Sequence, residues 1–102
     1  MKLQIHEAAA AEMRHHYNWY LARDRRLAER LSELFEDTVL RIVKRPLQFP
    51  LMEMRRNPGT IRRAILKRFP LFVLYRLLDD GVEIFAVPHT SQRPGYWKSR
   101  LK

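Results

Sequence analysis

Seven side chains in the C-terminal part of the chain, Arg62, Arg63, Lys67, Arg68, His89, Arg93 and Tyr96, are of types that could act on a phosphodiester. Cleaving RNA without a metal needs a base or electrostatic group that helps the 2′-OH attack. It also needs cations for the phosphorane and an acid for the leaving oxygen. Arg63 would supply a cation, His89 could serve as acid or base, and Arg93 and Tyr96 offer an arginine–tyrosine pair three residues apart. The same region could instead serve only as a surface. Arg62, Lys67, Arg68, Arg76, Trp97, Lys98 and Arg100 form a basic, aromatic set suited to contact a target protein or a nucleic acid. Plain structural roles stand beside these: Tyr75 as core, Arg76 paired with an acid across a sheet, His89 as a local hydrogen-bonding residue.

Other chemistry finds little support. The 102 residues contain no cysteine, which excludes disulfides and thiolate metal sites. Glu12-x-x-His15 is half of a di-iron motif without a second copy, and His15 and His16, as sequence neighbours, do not face each other on a helix. With no Gly-rich phosphate loop, nucleophile elbow or zinc spacing either, no metal and no cofactor are expected.

The net charge of +9 is unevenly spread. Residues 1–45 hold nine Lys/Arg against seven Asp/Glu, whereas residues 46–102 hold eleven against four. The C-terminal half therefore carries the salt-sensitive attraction for phosphates or acidic proteins. A chain of this length is expected to form one domain, residues 1–102, burying roughly 60–65% of its unfolded surface. No apolar run reaches the length of a membrane span and the N-terminus lacks a signal peptide's apolar core, so a cytoplasmic protein with no membrane partner is expected.

The elements that must position these residues read in order. Leu3 to Ile5 alternates as a short strand. From Glu7 to about Arg23, Ala9, Met13, Tyr17, Tyr20 and Leu21 fall on one helical face, with Trp19 far from its centre. Asp24 is the expected N-cap of a second helix, with Leu27, Leu31, Phe35, Thr38 and Ile42 on its core face, broadened by Ala28, Leu34 and Val39, and Leu40 off it; Pro46 stops that helix. Residues 46–60 form a connection with room for a short edge strand, and Pro58-Gly59 turns into the sheet. A three-strand meander follows: Ile61 to Phe69, then the apolar run Leu71 to Leu78, then Val82 to Val87. Asp80-Gly81 supplies residues that tolerate the positive φ of a tight hairpin. Pro94-Gly95 is a further turn before a loose or singly helical end.

Strand, helical hairpin, meander is an order that resembles the RelE/ParE superfamily of toxins from type II toxin–antitoxin pairs, closer to its ParE-like branch. The likeness is carried by Ile61-Arg62-Arg63, Lys67-Arg68-Phe69-Pro70, Val73-Leu74-Tyr75-Arg76, Val82 to His89, and the His89 to Arg93 spacing ahead of Tyr96-Trp97. It implies an α+β fold, β-α-α-β-β-β, with the helical hairpin packed on a small, mainly antiparallel sheet. It implies a toxin whose expected target is DNA gyrase, neutralised by a cognate antitoxin in a hetero-oligomer. Trp19 and Leu40, off their helices' core faces, are the expected antitoxin contacts. The alternative is a ribosome-dependent mRNA endoribonuclease of the RelE type, and only then would the chain be an enzyme, with Arg63, His89, Arg93 and Tyr96 catalytic. By this resemblance Arg63 takes the place of a catalytic lysine, while Ile65 stands where a second lysine belongs and Phe72 where an arginine belongs. A basic nucleic-acid-binding module without toxicity is the remaining alternative.

Overall fold

The structure, a computed structural model, describes residues 2–54, 57 and 60–101. Strand β1 (Lys2–Ile5) leads into helix α1 (Glu7–Leu21), and a short joint leads to helix α2 (Arg25–Lys44). Strands β2 (Ile61–Leu66), β3 (Leu71–Leu78) and β4 (Gly81–Ala86) follow, and a 3₁₀ turn (Lys98–Leu101) closes the chain. The sheet order is β1-β4-β3-β2, with β1 parallel to β4 and the other pairs antiparallel. This is the α+β fold the sequence implies.

Local chemistry sets the helix ends. His6 caps α1, its Nδ1 accepting from the Ala8 N–H at 3.0 Å. Asp24 caps α2 as expected, its carboxylate accepting from the Arg26 N–H at 2.9 Å. Helix α2 ends at Lys44, two residues before Pro46. Its buried stripe is Ala28, Leu31, Thr38, Val39 and Ile42. Leu27, expected in the core, is 41% exposed. Ala28 takes the core position instead, and one residue of helix turns Leu27 about 100° away.

The sheet is covered on both faces. On one, Ala64, Leu66, Val73, Tyr75, Val82 and Ile84 pack with Ala9, Met13, Leu31, Val39 and Ile42 of the helices. On the other, Ile61, Leu74, Phe85 and Ala86 are covered by Trp97, with Tyr96 and Leu101 packed against them. The C-terminal segment is thus a second lid, which accounts for a β3 that is apolar on both faces except at Tyr75 and Arg76.

The turns depart from expectation. Leu78 pairs with Gly81 across Asp79-Asp80, yet neither Asp80 nor Gly81 has positive φ. Gly81 is needed for space: a Cβ there would lie 1.9 Å from the Lys2 carbonyl oxygen, where β1 runs alongside. Among the described residues, positive φ occurs at Gly95 (89°), in the expected Pro94-Gly95 turn, and at Arg68 (74°). Arg68 sits third in a turn closed by the Phe69 N–H donating to the Leu66 carbonyl at 3.0 Å, a place usually given to glycine or asparagine. The connection before β2 supplies one bridge, Leu51 to Arg62, along the sheet edge. The Pro58-Gly59 turn lies outside the described residues.

Candidate functional site

A carboxylate that the sequence did not single out for this role organises the C-terminal half. Glu12, on α1, accepts from both terminal nitrogens of Arg100: Nη1 to Oε1 and Nη2 to Oε2, each at 3.0 Å. Oε2 also accepts from the Tyr96 hydroxyl at 2.7 Å, and Oε1 from the Val87 N–H at 2.9 Å. Arg100 donates further to the Phe85 carbonyl at 3.0 Å. Burial alone would raise the Glu12 carboxyl, but the hydrogen bonds from Arg100, Val87 and Tyr96 outweigh it and hold it below its ordinary range. The same contact, with burial the larger cause, pushes the Tyr96 hydroxyl far up. Tyr96 is therefore a hydrogen-bond donor to Glu12 that keeps its proton, not a base. Glu12 drew attention only as half of a di-iron motif, because its partners lie more than seventy residues away and no local pattern announces them.

Beside Glu12 a cavity of about 430 Å³ opens between α1 and the start of β3, lined by His15, His16, Trp19, Tyr20, Pro70, Leu71, His89 and Gln92. His15 and His16 both reach it, with ring centroids 6.0 Å apart, although helix neighbours were expected to diverge. His16 Nε2 bonds the Val87 carbonyl at 2.8 Å, and burial holds its pKa below the ordinary value. His89 takes the local role: its Nδ1 lies 3.1 Å from the donating Ser91 N–H and 2.7 Å from the Ser91 hydroxyl. Among the described residues no group of three His, Asp or Glu is placed to hold a metal ion.

The expected nuclease residues do not gather. His89 pairs with Leu71 and so shares the helix-side face of the sheet. Arg63 is two residues from Ile61 along β2, on the opposite face. There its guanidinium carbon lies 5.5 Å from the Phe72 ring centroid. Arg93 is exposed in the loop before the C-terminal turn. The pair Ile65 and Phe72, opposite each other in register, stands beside Arg63, and Ile65 is 55% exposed.

The residues expected to form a contact surface divide. Lys67, Arg68 and Lys98 are exposed. Arg62 is turned to the connection, donating to the Phe49 carbonyl at 2.6 Å. Arg76 pairs across the sheet with Glu83 at 2.8 Å and reaches the Leu101 carbonyl at 3.1 Å. Trp97 corrects the expectation outright: it is 2% exposed, its ring 5.1 Å from that of Phe85. An aromatic in a basic tail reads as surface; here it fills the core that the helices cannot reach. Trp19 and Leu40 are indeed exposed, at 47% and 69%. The guanidinium of Arg23 lies over the Trp19 ring at 3.7 Å. No described helix is long and apolar enough to cross a membrane.

Comparison with known proteins places this architecture. One of seven matching solved chains, described as "Chromosomal ParDE TA system from P. aeruginosa", superposes with a TM-score of 0.71 at 20% identity. The match covers 87% of this chain and 95% of that one, and it supports the fold. No curated protein sequence matches. The family model for the ParE toxin of type II toxin-antitoxin system, parDE, matches residues 3–94. The helical hairpin, the sheet and the start of the C-terminal segment all fall within that span, and the chain belongs to the ParE toxin family of type II toxin–antitoxin systems.

Proposed function

We propose that this chain arrests bacterial growth in the cytoplasm by binding DNA gyrase, and that a cognate antitoxin neutralises it by covering Trp19 and Leu40. The observation that carries the target reading is the Ile65–Phe72 pair. Where nuclease relatives are expected to set a lysine and an arginine, this chain sets an exposed aliphatic residue facing a phenyl ring. Phosphorane stabilisation needs cations that converge on one point. Arg63 lies over Phe72, Arg100 is held by Glu12, and the Tyr96 hydroxyl donates its hydrogen bond to the same carboxylate. Such a site suits adhesion to a protein rather than strand cleavage. A nucleic-acid-binding module would want aromatic faces open beside its arginines. Trp97 is buried, and Phe72 lies beneath Arg63.

The antitoxin reading is supported by family membership, which implies such a partner, and by two large apolar side chains standing in solvent on the helical layer. The test uses purified chain, purified gyrase and relaxed plasmid. Supercoiling should stop and cleaved plasmid should accumulate as the chain is added. Unchanged supercoiling with the chain at about 10 μM, roughly ten times the Kd of a micromolar complex and so enough to saturate it, would overturn the gyrase assignment.

A further inference from the structure

Three features meet at the uncovered end of the second sheet face, where Phe72 is only partly buried against the core. Ile65 points to this face and is 55% exposed, whereas its neighbours Ala64 and Leu66 point to the helix side and are buried. Phe72 lies directly across from it in β3. Arg63, the next residue of β2 on that face, has a buried Nε–H with no hydrogen-bond partner. Beyond Ile65 the hairpin tip presents Lys67 and Arg68, both exposed, with Arg68 held at a φ of 74°. Among the described residues, none of the ion pairs engages Arg63, Lys67 or Arg68.

Each feature asks for a different part of one partner. The Ile65–Phe72 pair gains by burying against an apolar side chain. The half-buried Arg63 guanidinium and the exposed cations at the tip, in no ion pair among the described residues, call for carboxylates, which guanidinium groups bind with directional hydrogen bonds. A nucleic acid would meet the phosphate demand but would leave Ile65 facing phosphates, with no open ring for a base to stack on. We infer that Ile65, Phe72 and Arg63 form the docking surface by which this chain grips its target protein, at an acidic patch surrounding an apolar side chain. The inference rests on the reading of the chain as a toxin that binds its target.

The experiment is induced growth arrest with wild type, Ile65→Asp, Ile65→Thr and Arg63→Gln, each checked for folding by far-UV circular dichroism and thermal melting. Leu27→Asp, an apolar-to-acidic change at a similarly exposed position on α2, is the comparison. Ile65→Asp should weaken target affinity at least about tenfold, the scale of a central anchor residue, so far more inducer is needed for the same arrest. Ile65→Thr, which keeps a β-branched shape and therefore the strand, and Arg63→Gln should each weaken arrest less, while Leu27→Asp arrests like wild type. Equal arrest by wild type and Ile65→Asp overturns this surface and leaves the toxin reading standing. Full arrest by Ile65→Asp that the antitoxin no longer relieves assigns the surface to the antitoxin and overturns the inference. A wild-type chain that does not slow growth overturns both.

Discussion

Arg100 grips Glu12 through two parallel hydrogen bonds of 3.0 Å, tying the last turn of the chain to the first helix. Both side chains are largely buried, at 16% and 19% exposed, so the pair sits where an unpaired charge is expensive. Glu12→Gln keeps the shape but removes the charge that Arg100, Tyr96 and the Val87 N–H share. We expect it to destabilise the fold by about 2 kcal/mol and to lower the Tm by roughly 10 °C in a chain of this size. Thermal unfolding followed by circular dichroism measures this, and an unchanged Tm would mean that the clamp contributes nothing.

The pH dependence of stability follows from the same corner of the molecule. Burial holds the His16 imidazole below its ordinary value of 6.5, and hydrogen bonds hold Glu12 below its ordinary 4.5. Both groups take up protons less readily folded than unfolded, so the unfolded chain binds more protons and stability falls as pH falls. The His16 contribution is complete above about 6.5 and is lost on acidification below it; that of Glu12 is complete above about 4.5 and is lost below that. Urea midpoints between pH 8 and pH 3 should therefore decline in two stages. His16→Gln should flatten the upper stage and Glu12→Gln the lower.

Gly81 separates two readings of a hairpin glycine. If φ mattered, Gly81→Ala would cost little, because its φ is not positive. The Lys2 carbonyl oxygen, 1.9 Å from the modified carbon, makes the opposite prediction. We expect Gly81→Ala to detach β1, costing at least about 2 kcal/mol as an overpacked site. Hydrogen exchange at the backbone amides that β1 and β4 share should accelerate, whereas Asp80→Asn leaves them protected.

Arg68 carries the reverse expectation. A side chain at a φ of 74° is strained by about 1–2 kcal/mol relative to the ordinary backbone regions, and glycine removes most of that strain at some entropic cost. Arg68→Gly should raise stability by up to about 1 kcal/mol, read as a higher urea midpoint. Because the substitution also removes a cation beside Ile65, growth arrest should weaken while stability rises. A variant with raised stability and undiminished arrest would confine the role of Arg68 to the turn.

What could be read in the sequence depended on how local its cause is. The Asp24 cap, the stop ahead of Pro46, the limits of β3 and the Pro94-Gly95 turn are each written within a few residues, and the structure has all of them. Trp97 and Glu12 were not legible in this way. Burial of Trp97 depends on Phe85 lying beneath a segment that folds back over the sheet, and the role of Glu12 depends on partners at residues 87, 96 and 100. Neither contact has a periodicity to betray it. Leu27 failed for a finer reason: the stripe was right, but a small alanine beside it took the core position. The Ile65 and Phe72 departures were legible as residue types, while their cross-strand register and exposure are properties of the fold.

We propose that this ParE-family chain binds gyrase as its target and does not cut RNA. The most direct measurement induces the chain in bacteria and scores chromosomal double-strand breaks and ribosome-associated mRNA ends in the same culture. The chain should cause breaks that depend on gyrase, with mRNA left intact. Cleaved mRNA at ribosomes, abolished by Arg93→Ala or Tyr96→Ala and accompanied by an unbroken chromosome, would contradict it.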